Sequence, residues 1–243
     1  MDLSNVRRMQ GESQKAHWQR VAADAVTMLS RSFVAGEHAV MKPTNMVNNI
    51  ASDLMALNAQ SRAIVIYSDL KSFLLSVIKK GEGGRAFARH MFNIFSLDHP
   101  FLIGLDKRQA MVFTDLKIAA LVWMAQLDYL RRLCLAFPDR VRSIHCDDFL
   151  AQPKESLRAA STHFQNPFQE GVLEDVVSGP IFQRNAKFVD DAYNADQRAQ
   201  ESAELDTLYK EAIAETMAFA ARFNRDRPVP DRLPSPLLSP DSA

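Results

Sequence analysis

Glycine is scarce in this 243-residue chain. There are eight, and none stands in a G-x-x-x-x-G-K-[ST] or G-x-G-x-x-G pattern. The two common sequence signatures of a loop that wraps nucleotide phosphates with backbone N–H groups are therefore absent. Cysteine is scarcer still: Cys134 and Cys146 make no disulfide framework and read as two reduced thiols of a cytosolic protein. Neither sign of charge prevails, with 29 Lys+Arg against 29 Asp+Glu. That argues against a global grip on nucleic acid or an anionic membrane and leaves room only for a local basic site. The longest apolar run, Ile118–Ala125, is eight residues, far short of the roughly 20 that a membrane helix needs. The N-terminus, MDLSNVRRMQGESQ, lacks the apolar centre of an export signal. Together these absences point to a cytoplasmic chain with no membrane span and no nucleic-acid partner.

What is present is a large apolar fraction, 47%, ample for a core. The first dozen residues are polar and read as a flexible N-terminus, 1–12. Helical spacing runs from Ser13 to Phe33 through Trp18, Val21, Ala22, Ala25, Met28 and Leu29. His38–Lys42 (HAVMK) is a strand candidate stopped by Pro43, and Thr44 or Asn45 can cap a helix reaching about Ala59. Arg62–Tyr67 (RAIVIY) is the clearest strand, a continuous apolar run of the kind buried on both faces of a parallel sheet. Leu70, Phe73, Leu74, Val77 and Ile78 follow at helical spacing. GEGG at 81–84 reads as a turn between helices. Helices are expected at 84–96 and 107–137, then a third strand at Val141–His145 (VRSIH), a turn at 147–149 and a helix at 153–164. A last helix is expected over 196–223. After it come five of the eleven prolines, in RPVPDRLPSPLLSPDSA, so 224–243 reads as a Pro-rich disordered tail.

Strands alternating with helices predict an α/β fold, three layers with a parallel sheet and flanking helices, as a single domain over 13–223. In such folds ligands sit beyond the carboxyl ends of the strands. Those ends are Lys42-Pro43-Thr44, Ser68-Asp69 and His145-Cys146-Asp147-Asp148.

Four segments, AVMKPTN, AQSRAIVIYSDLKSFLLSVIKK, FPDRVRSIHCDDFLAQPKESLRAASTHF and FQRNAKF, together resemble the sulfotransferase family in order and spacing. The resemblance covers about Ala39 to Phe223. It implies a P-loop NTPase-like fold and transfer of a sulfuryl group from PAPS (phosphoadenosine phosphosulfate) to an alcohol or amine acceptor. By resemblance, Lys42 would stand near the bridging oxygen of the transferred group, where its charge offsets developing negative charge. Ser76 would touch the donor's 3′-phosphate, Ser68 falls where the family places an arginine, and Arg184 and Lys187 match a late basic pair. Thr44 falls where some members carry a histidine base, which threonine cannot replace at neutral pH. The family's first strand and phosphate loop have no counterpart here, so the fold is expected to be N-terminally truncated. The expectation is an incomplete or degenerate sulfotransferase that binds PAPS weakly or not at all. The alternative is a non-catalytic binding or assembly module of the same descent.

Each singled-out residue also has a plain reading. Ser76, Lys42, Arg184 and Lys187 can be solvated surface groups, and the Trp123 helix is core. Asp148 reads as a cap for the Pro153 helix. His145-Cys146-Asp147-Asp148 is not expected to bind metal, because neighbours on a strand point to opposite faces. A sheet lacking its first strand should have an exposed edge, and so favour a homodimer.

Overall fold

In the computed structural model, residues 3–10, 14–34, 37–105, 107–183, 195–226 and 228–238 are described. The chain is mostly helical, around one short parallel sheet. Strand β1 (Ala63–Tyr67) pairs in register with β2 (Val141–His145), from Ala63 opposite Val141 to Tyr67 opposite His145. Two of the three strand candidates thus pair directly with each other.

Each strand runs straight into a helix, and the cap is local. After β1, the Asp69 carboxylate accepts the Ser72 N–H at 2.8 Å and starts α4 (Leu70–Lys79). Its Leu70, Leu74, Val77 and Ile78 are buried on one side, at the spacing a single helix face requires. The GEGG stretch is not a free link. Gly81, at φ +59°, turns the chain and opens α5 (Gly81–Phe95). A Cβ on Gly84 would lie 2.4 Å from the Val77 carbonyl oxygen, so this glycine permits a close helix–helix approach.

The expected 107–137 helix is interrupted. A short α6 (Lys107–Met111) ends, and Thr114 caps α7 (Asp115–Ala136), its hydroxyl accepting the Lys117 N–H at 3.3 Å. The apolar centre of α7, Ile118 to Ala125, is buried almost throughout. It forms the middle of the main core with α4, α5, β1 and α12 (Lys210–Asp226). The remaining helices are α8 (Cys146–Ala151), where a turn was expected, α9 (Pro153–His163), α10 (Glu170–Ser178) and α11 (Ala195–Leu208). Tyr209 separates α11 from α12, where a single helix was expected.

Three expectations are corrected. His38–Lys42 is not a strand: residues 37–44 are irregular and exposed, with Val40 and Met41 facing solvent. A strand needs a ladder partner, and the sheet offers this segment none. The described sheet therefore has two strands, not three. The first residues are not loose either. Helix α1 (Leu3–Gln10) packs on α2 (Lys15–Leu29) and on a 3₁₀ turn over Asn45–Ile50, and α3 (Ala51–Leu57) packs on the same two elements. Trp18 is buried there and its indole N–H donates to the Leu3 carbonyl at 3.0 Å. Arg8, with no exposed side-chain surface, pairs with Asp98 at 3.0 Å. Asp98 also accepts from Asn49 and Tyr129.

The third correction is the tail. Residues 228–238 lie along β2, with Val229 and Leu233 buried in the main core. The Ser143 N–H donates to the Ser235 carbonyl at 2.8 Å, and the Leu237 N–H returns to the Ser143 carbonyl at 2.7 Å. Proline content made this segment look disordered, but a segment that pairs only through the Ser235 carbonyl and the Leu237 N–H loses nothing when its other positions are prolines. The edge of β2 is thereby covered. The expectation that β1 is buried on both faces also fails at one point, since Ile66 is 65% exposed.

Candidate functional site

The carboxyl ends of β1 and β2 bring together residues from three parts of the sequence. Tyr67, Ser68 and Asp69 come from β1 and the cap of α4. His145, Asp147 and Asp148 come from β2 and the first turn of α8. Arg232 and Leu233 come from the tail. His145 is 5% exposed and caps α8: its Nδ1 accepts the Asp147 N–H at 3.2 Å. The Asp147 carboxylate lies 3.6 Å from the same nitrogen. The Tyr67 ring meets the His145 ring edge-on at 5.1 Å. The Tyr67 hydroxyl accepts the Leu233 N–H at 3.1 Å, and Arg232 pairs with Asp148.

The Asp69 carboxyl is held below its usual value. Burial alone would raise it, but the Ser72 hydroxyl and N–H, together with His145, outweigh that. Asp69, His145 and Asp147 each offer one ligand atom within 4.8 Å of the others. The expectation that strand alternation keeps such groups apart does not hold, because Asp147 lies on a helical turn and Asp69 arrives from the other strand. Their present work is nonetheless capping. Asp69 and His145 each hold a helix N-terminus, and those N-termini turn their partial positive charge toward the cluster. That field favours the carboxylates already there and opposes a cation among them.

Of the described residues singled out by resemblance, Ser68 lies at this site, and Ser76 and Lys42 do not. Ser68 is half-buried at the strand end, and its carbonyl accepts the Trp123 indole N–H at 2.9 Å. Ser76 is exposed on α4, two turns further along. Lys42 is exposed in the irregular 37–44 segment. Arg184 and Lys187 lie outside the described residues. Asp148 does not cap the Pro153 helix, since Gln152 occupies that position without a side-chain bond. Instead Asp148 holds Arg232. Sequence reasoning missed Arg232 and Tyr67. The available signal was the apolar spacing Val229, Leu233 and Leu237 among the prolines.

A surface depression of about 420 Å³ lies where α11 passes into α12 and is lined by residues 207–212, none of them from the strand ends. Among the described residues no helix is long and apolar enough to cross a membrane. No family model matches the chain, and neither a curated protein nor a solved structure matches it.

Proposed function

We propose that this chain is an α/β binding or assembly module that does not by itself transfer sulfuryl groups. The carrying observation is the chemistry of the strand ends. Where a phosphosulfate donor would need cations, the groups that converge are Asp69, Asp147 and a capping imidazole. Two like charges about 4 Å apart repel by about 1–4 kcal/mol between bulk water and a protein surface. Ser68 supplies neither charge nor a guanidinium fork. The one guanidinium described beside Asp148, that of Arg232, is already paired with it.

The order of β1–α4 and β2–α8–α9 supports kinship with the sulfotransferase family. On that second reading Lys42, Ser68, Ser76, Arg184 and Lys187 would serve PAPS, and the acceptor would be an alcohol or amine. Calorimetric titration with 3′-phosphoadenosine 5′-phosphate separates the two. The wild type and Ser68→Arg are both expected to give no saturable heat. Micromolar binding by the wild type would overturn the module reading.

A further inference from the structure

We infer that α11 is a strap latched onto one stripe of α4 by two ion pairs, and that it opens about a hinge at Tyr209 as ionic strength rises. The inference concerns a moving part of the fold and does not depend on what the strand ends bind.

The latch is read from the pairs themselves. Lys71 pairs with Asp206 at 2.9 Å, and Lys79 pairs with Glu201. The chain numbers of the two pairs run in opposite directions, so α11 lies antiparallel to α4. Lys71, Leu75 and Lys79 stand at i, i+4 and i+8, a single stripe of α4 about 12 Å long. The side of α11 turned toward it carries Glu201, Ser202, Leu205 and Asp206, all half-buried, and the remaining side chains over 200–208 are exposed. No side chain over 200–208 is fully buried. The four charged partners keep between 38% and 59% of their side-chain surface in water.

The helix that follows is fastened differently. In α12, Ile213, Thr216 and Ala220 are buried, and Phe219 and Phe223 pack against the main core. Apolar burial has no charge to screen. Exposed pairs weaken as the screening length falls from about 10 Å at 0.1 M salt to about 3 Å at 1 M. A firmly packed helix is thus joined to one held largely by charge. At the join, Leu208 and Tyr209 are 75% and 38% exposed, and the surface depression lined by 207–212 opens beside them. The Tyr209 N–H donates to the Leu205 carbonyl and the Ile213 N–H to the Tyr209 carbonyl, both at 2.9 Å, so the join is a hinge and not a break. Opening turns the stripe outward, with Leu75 bare between two freed ammonium groups. A helix of 14 residues without a packing surface is marginal in water, so the open strap frays.

The test is amide hydrogen exchange on the full chain, read by mass spectrometry at fixed pH and temperature across a sodium chloride series. One exposed pair changes an opening equilibrium by roughly 1.5- to 5-fold, and two together by roughly 2- to 25-fold. Between about 0.05 and 1 M salt, exchange over 200–208 should therefore rise roughly threefold or more. Exchange over 118–125 and 213–220 should stay level and serve as the internal reference. Lys71→Gln with Lys79→Gln should show the fast exchange at low salt already and respond little to further salt. Both lysines are largely exposed, so the core is untouched. Should the double variant nonetheless lose helix by circular dichroism, the wild-type salt series decides alone. Exchange over 200–208 that ignores salt in the wild type overturns the inference. An equal rise over 213–220 also overturns it, because the two helices would then open as one. A folded double variant that keeps the wild-type salt response overturns it too, by placing the latch elsewhere.

Discussion

Tyr67→Phe removes one atom from the place where sheet, strand-end site and tail meet. The lost hydroxyl accepts the Leu233 N–H at 3.1 Å, between residues that are 8% and 4% exposed. Phenylalanine keeps the ring and its edge contact with His145, so packing is unchanged. The Leu233 N–H then has two options: stay buried without a partner, at about 1–3 kcal/mol, or reach water by letting the tail detach. The tail is held by a short ladder and two buried side chains against the entropy of ordering its residues, about 1–2 kcal/mol each. Those opposing effects are of similar size, so the loss should appear as tail opening rather than global unfolding. An opening equilibrium shifted by about 1–3 kcal/mol raises amide exchange roughly 5- to 150-fold. Hydrogen exchange read by NMR should show this rise at Leu233 and Leu237, with the amides of Leu74 and Leu121 unchanged. Unchanged protection at Leu237 would refute the claim that the Tyr67 hydroxyl holds the tail. Equal loss at the core amides would refute the claim that the tail opens separately.

Other changes reach different parts of the molecule. Asp98→Ala leaves the buried Arg8 guanidinium without its carboxylate, and urea unfolding should lose about 3–5 kcal/mol; a loss under about 1 kcal/mol would mean that apolar packing alone holds α1. His163 sits with its Nε2 3.1 Å from the Ala63 carbonyl and 3.2 Å from that of Arg140. Burial pulls its pKa below the usual imidazole value, although both carbonyls favour the proton. The neutral ring is therefore the folded form. Its contribution is complete above about pH 6.5 and is lost as pH falls from there through the folded pKa. His163→Gln should flatten that part of the stability–pH curve, and an unchanged slope would contradict the assignment. Burial also pushes the Cys134 thiol up to about 11, so a thiol reagent at pH 8 should modify the half-buried Cys146 first and reach Cys134 only on unfolding. Equal rates would argue against a closed α7 core.

The parts of the fold legible in the sequence were those fixed by local periodicity and local caps. RAIVIY is a short apolar run and VRSIH a short segment between two helical patterns, and both are strands. The stripe Leu70–Ile78 needs only Asp69 ahead of it to become a helix, and the apolar centre of α7 can only be buried. These readings hold because the hydrogen bonds involved span a few residues and the apolar spacing already states which face turns inward. HAVMK carries a comparable local signal and fails, because a strand also needs a neighbour whose presence no local pattern records.

Only the tertiary structure decided what completes the sheet and what the strand ends contain. Tyr67, Asp148 and Arg232 meet across more than 160 residues of chain, and the segment that supplies the arginine has the composition of disorder. Proline content reports the loss of N–H donors. It does not report that β2 leaves those donors unused, pairing only with Ser235 and Leu237. Likewise Asp69, His145 and Asp147 become neighbours because two strands run parallel in register and each hands its end to a helix. Composition and spacing therefore determined the main core helices and both strands, while long-range pairing determined the site. Pairing energies depend on a partner's position, which the chain acquires only when the whole core forms.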